Sequence, residues 1–158
     1  MSTTSAVPTA LTALYNAAFA ALSSVTVIDG PPLSWDPLVV PGGGVGDVQW
    51  LFIGARPEDD NAVHSALQTR NTLGPSRTED IVAAAVAIAK GDETQMALAR
   101  SQAFTIVAAL EQALRTDETL GGAVSTATVS VDKYEQQQQE DGAYAVVTLS
   151  VAARAFLR

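Results

Sequence analysis

A chain of 158 residues with 47% hydrophobic content can bury the core of one domain and is short for two. Charged residues make up only 16%, and 9 basic against 17 acidic side chains leave a net charge of -8, a balance that disfavours gripping nucleic acid or docking on an anionic membrane. With no cysteine and a single histidine, His64, the chain excludes disulfides, thiol catalysis and any multi-histidine metal site of its own.

Residues 1–28 carry no side-chain charge. The start lacks a basic region, and Pro8, Asn16, Ser23 and Ser24 interrupt the apolar run. A spanning helix needs about 20 predominantly apolar residues, so the stretch reads as a soluble helix and a strand of a cytoplasmic protein, with residues 1–7 a flexible lead. Pro8 suits a first helical turn. Leu11, Leu14, Tyr15, Ala18 and Leu22 form one stripe at helical spacing over residues 8–23. Val25-Thr26-Val27-Ile28 is a short strand stopped by Asp29-Gly30-Pro31-Pro32.

Residues 30–46 read as a long loop containing Trp35, Leu38, Val39, Val40 and the run Gly42-Gly43-Gly44. Asp47–Ala55 is a second strand with two apolar faces, which places it centrally. Residues 56–78 read as polar and irregular and include Glu58-Asp59-Asp60. Ile81 to Ala89 is ambiguous. Its alanines favour helix, while Val82, Val86 and Ile88 on one face and alanines on the other suit a strand packed under a helix.

Asp92 and Gln95 have capping-box spacing. Met96, Ala99, Ala103, Ile106, Val107, Leu110 and Leu114 then hold one apolar face through the strongest helix in the chain. The remainder reads as a hairpin. Ala127, Val129 and Val131 share a face, as do Val147, Leu149, Val151, Ala153 and Leu157, with Asp141-Gly142 as the turn and Gln136–Gln139 as the polar end of a strand. The expected fold class is α+β, a single domain with a mixed or antiparallel sheet of about five strands packed by two main helices, in the order α-β-β-β-α-β-β.

Catalytic signals are weak. His64 has acidic neighbours but no marked nucleophile and reads as an exposed loop histidine. Glu58-Asp59-Asp60 lacks the alternate spacing of a calcium loop and reads as a solvated acidic run. Pro41 to Gly46 precedes a strand and lacks the Gly-Lys-Ser/Thr of a phosphate loop. Trp35 and Trp50 could stack bases, but with no flanking basic residues they read as core or interface. No catalytic residue, cofactor or metal is assigned.

Three stretches resemble the tail terminator (tail-completion, minor tail) proteins of long-tailed bacteriophages. They are the leading helix into Val25–Pro32, the block from Ile81 through Leu114 into Thr116–Val124, and the closing hairpin from Tyr134 through Asp141-Gly142 to Leu157. The match is one of element order, from about residue 8 to 158. It implies a strand at residues 79–90. It also implies a hexameric ring at the head-proximal end of the tail tube of a virion, made in the host cytoplasm. Such a ring stops tube growth, contacts the tail tube protein and a head-side connector or stopper, and passes DNA through its lumen without reading it. Trp35, Leu38, Val39, Val40, Gly42, Gly43, Gly44, Glu58, Asp59 and Asp60 are the candidate contacts between subunits or rings. Another neck connector ring, or a small-ligand-binding or enzymatic α+β domain, are the alternative readings.

Overall fold

The computed structural model describes residues 5–31, 34–35, 38–39, 48–57, 63–70, 76–139 and 142–157. Helix α1, Val7–Ala21, begins with Pro8 in its first turn, where a missing N–H costs nothing. It turns Ala10, Leu14 and Ala18 inward. Strand β1, Thr26–Asp29, follows, and Gly30 ends it at φ 110°. Two short strands, β2 (Ser34–Trp35) and β3 (Leu38–Val39), pair antiparallel within the segment expected to be loop.

Strand β4, Val48–Ile53, is central as expected. Trp50 and Phe52 are buried on one face and Leu51 and Ile53 on the other. The expectation of an irregular 56–78 is corrected by strand β5, Val63–Arg70. Its exposed residues Ser65, Leu67 and Thr69 and its single-residue bulge at His64 blur any period-2 signal. What makes it a strand is the partner, since β-propensity is largely a matter of what a segment packs against. That partner is β6, Arg77–Gly91, which settles the ambiguous run as strand. His64 therefore stands in a strand and not in a loop.

β6 organises the sheet. Along one side it pairs first with β5 (Arg77↔Arg70 to Ala83↔Val63) and then with β4 (Ala85↔Ile53 to Lys90↔Val48). Between them Gly54, at φ 79°, donates its N–H to the Ala84 carbonyl at 2.8 Å and turns the chain off the edge. Along its other side β6 pairs over all fifteen residues with β8, Gly142–Leu157. Backbone hydrogen bonding on both sides outweighs the helix propensity of the alanines, a preference worth under 1 kcal/mol per residue. Strand β7, Thr126–Gln139, pairs with β8 as the expected hairpin. Gln139 pairs with Gly142, so Gly142 stands in strand β8 and not in the turn, while Asp141 lies outside the described residues.

Among the described residues the main sheet has six strands, ordered β1-β4-β6-β8-β7 with β5 beside β6. All pairs are antiparallel except β1–β4. This is a single-domain α+β fold with one strand more than expected, besides the β2–β3 pair.

Helix α2, Met96–Thr116, buries Ala99, Ala103, Ile106, Val107, Leu110 and Leu114, six of the seven expected positions. It starts later than Asp92 because the Asp92 carboxylate is spent locally, accepting from the Thr94 N–H and hydroxyl at 2.9 and 2.8 Å. Only the Gln95 half of the capping box forms, with Oε1 accepting from the Asp92 N–H at 3.3 Å. Both helices cover one sheet face, where Ile81, Ala83, Ala85, Ala87 and Ala89 meet Ala99 and Ala103. Small residues on both sides let the helix lie close. On the opposite face Trp50, Phe52, Val86, Ile88, Tyr144 and Val146 form a second buried cluster.

Candidate assembly surfaces

The expected contact residues fall into two groups. Trp35, Leu38 and Val39 lie on the β2–β3 pair, with Trp35 opposite Leu38. Val40, Gly42, Gly43, Gly44, Glu58, Asp59 and Asp60 lie outside the described residues. The surfaces that the structure does describe come from residues not singled out by sequence.

The first is the α1 anchor. Ala6 at the N-cap has no side-chain acceptor for the helix's free N–H groups. Glu79, buried at the start of β6, supplies one. Its carboxylate accepts from the Ala6 N–H at 2.6 Å and the Ser5 hydroxyl at 2.8 Å. A negative charge at a helix N-terminus also complements the macrodipole. Ser5 to Val7 are thereby fastened to the sheet, which corrects the flexible lead for those residues. The signal was present in the sequence, as a helix start with Ala at the cap and an acid heading the apolar run of β6. Glu79→Ala should strand two donors and cost about 1–3 kcal/mol. A denaturant midpoint equal to wild type would contradict this anchor.

The sheet face away from the helices divides in three. One end holds the second apolar cluster. In the middle, Arg56 reaches Asp132 at 2.7 Å, and the Ser150 hydroxyl donates to the same carboxylate. Asp132 sits at a β-bulge between Val131 and Lys133. The other end is open. Leu67 and Phe156 are about two-thirds exposed beside a two-point ion pair, Arg154 to Asp80 at 2.6 and 3.2 Å.

A groove of about 610 Å³ runs between α1 and the turn that follows α2, lined by Pro8, Thr12, Asn16, Leu120, Gly121 and Ala123. No charged side chain lines it, and it lacks the convergent polar groups by which ligand sites fix orientation. The turn is ordered by Asp117, whose carboxylate accepts from the Thr119 hydroxyl at 2.6 Å and the Gly121 N–H at 2.7 Å. Among the described residues no three His, Asp or Glu side chains converge to hold a metal ion.

The Thr119 hydroxyl, and then the Gly121 N–H, hold Asp117 below the usual aspartate value of 3.8. The Arg154 hydrogen bond does the same for Asp80. A carboxylate depressed in the folded state contributes stability that is present above its unfolded pKa and lost as pH falls through its folded pKa. Both contributions are thus present above the unfolded value of 3.8 and are lost progressively as pH falls below it through the lower folded values. In an NMR titration, Thr119→Val should move Asp117 upward and leave Asp80 in place. An unmoved Asp117 would refute the assignment.

Two lateral flanks remain. At one, α1 lies over β1 and β4 and carries the exposed Phe19 beside the partly buried Tyr15, ring centroids 6.1 Å apart. At the other, α2 reaches over β7, and Phe104 meets Tyr134 at 5.3 Å beside the exposed Val131. No protein-family model matches the chain, and no curated protein matches it. Among the described residues, no helix is long and apolar enough to cross a membrane.

Proposed function

We propose that this chain is a tail terminator of a long-tailed bacteriophage, a hexameric ring protein at the head-proximal end of the tail tube. In this reading it stops tube polymerisation and offers the surface for head-tail joining. The observation that carries the proposal is the element order, with two helices on one face of a sheet whose long central strand precedes the second helix and whose last two strands form a hairpin. That order agrees with the resemblance at the position where local propensity left helix and strand open. Supporting it are the open sheet edges and the aromatic side chains at both flanks, which suit head-to-tail contacts that close into a ring. The net charge of -8 suits a lumen that lets DNA pass without holding it.

The test is a phage genome lacking this gene, examined by electron microscopy of the lysate. The expected result is tails of uncontrolled length that fail to join heads. Tails of normal length joined to heads would overturn the proposal. Tails of normal length left unjoined would favour another neck connector ring.

A further inference from the structure

The two flanks are complementary to one another. Among the described residues, strand β7 has a strand partner on one side only, β8, and β1 on one side only, β4. Both therefore stand at the edges of the sheet, the position through which one sheet adds to another. Their directions fit. β1 and β4 run together, β6 opposes them, β8 opposes β6 and β7 opposes β8. β7 is thus antiparallel to β1, and a second copy rotated about an axis along the strands brings its β1 antiparallel to this β7.

Their levels fit as well. Val27, Leu51, Ala87, Val147 and Tyr134 form one continuous row across the sheet. The middle of β1 and the bulged part of β7 therefore meet without sliding one subunit past the next.

The helix layer repeats the match. Ala13 and Ala17 share a groove with Ala113 of α2. Tyr15 is two residues from each, and so about 200° around α1 from both. Tyr15 and Phe19 accordingly mark the flank turned away from α2, above β1. Phe104 and Tyr134 mark the opposite flank, beside β7. Phe19 is 63% exposed and Phe104 39% exposed, and large aromatic residues of this kind anchor interfaces.

We infer that the β7–Phe104–Tyr134 flank of one subunit binds the β1–Tyr15–Phe19 flank of a second copy of this chain, edge strand to edge strand and helix to helix. The contact is heterologous and continues the sheet from subunit to subunit. The inference rests on the ring reading for closure of the circle, and on the edges and flanks alone for the contact.

The experiment uses the whole chain in sedimentation velocity over a concentration series, with Phe19→Asp and Phe104→Asp as probes and Phe156→Asp as a control on the open sheet face. Wild type should self-associate, and each flank variant should weaken association roughly 30-fold or more. Phe156→Asp should assemble as wild type does. The two flank variants mixed in equal amounts should form a dimer and stop there, because each retains the flank that the other lacks. Circular dichroism checks the fold, and Phe19→Ser and Phe104→Ser replace any variant that fails it. A wild type that stays monomeric, or a mixture that does, would overturn the contact. Assembly that ignores both flank variants would overturn it while leaving the ring reading standing, and if Phe156→Asp alone abolishes assembly, the interface lies on the open sheet face.

Discussion

Leu110→Ala is expected to lower stability by roughly 2–5 kcal/mol, the range for removing a fully buried leucine side chain and leaving a partial cavity. Leu110 has no exposed surface and lies in the cluster between α2 and the sheet. In that cluster β6 contributes alanines where other sheets would place larger side chains, and the buried α2 residues one turn away from Leu110 are Ile106, Val107 and Leu114. A stripe of methyl groups has little length with which to refill a vacancy, which points to the upper part of the range. Against a total stability of about 5–15 kcal/mol, the thermal midpoint should fall by many degrees. An unchanged midpoint would mean that the α2 face is misassigned.

Gly142→Ala is expected to be of similar size for a different reason. Gly142 opens β8 at φ 146°, in a region that side chains rarely enter. A Cβ there would stand 2.2 Å from the Gly91 carbonyl oxygen, a backbone atom that cannot swing aside. Forcing that backbone conformation costs about 1–3 kcal/mol, and relieving the overlap costs about 1–3 more. Gly91 and Ala143 are the last pair of the β6–β8 ladder, so the damage should concentrate at this end of the sheet. Hydrogen exchange should show the amides near Ala143 and Lys90 losing protection before those near Ala155. Full protection in the variant would contradict the assigned contact.

What could be read in the sequence and what could not divides along a physical line. α2 and the β7–β8 hairpin carry their own periodicity, and Ala99, Leu110, Val147 and Leu149 fall where that periodicity puts them. The run from Ile81 to Ala89 does not, because alanine is compatible with a helix and with a strand that must lie close beneath one. Fifteen ladder pairs with β8 decide it, and those belong to a partner some sixty residues away. β5 is hidden for the same reason, since Ser65 to Thr69 are all exposed and carry no alternation of their own, and only the pairing with β6 makes the segment a strand. Glu79 was missed because an acid in a polar approach to a strand looks solvated until a helix start is laid against it. Phe19 and Phe104 carry no mark in the sequence beyond lying within helices. Their exposure, which makes them candidates for contact, is a property of the assembled layers and not of helical spacing.

The way β4 and β5 share β6 has a consequence for how this chain can change. The two strands run in one direction along one side of a single partner, their registers separated only by Ala84. The connection between them leaves that edge at Gly54 and returns to it at Val63. Both anchor points are fixed by β6, and Ala55 and Arg56 are held by the second cluster and by Asp132, so a doubling of the length beyond Pro57 costs only about 0.6 kcal/mol in closure entropy. Residues gained or lost there alter neither the register of β6 nor either flank. The excursion is thus a place where related chains can diverge in length, or where a tag or binding peptide can be inserted, while the sheet and the proposed subunit contact stay as they are.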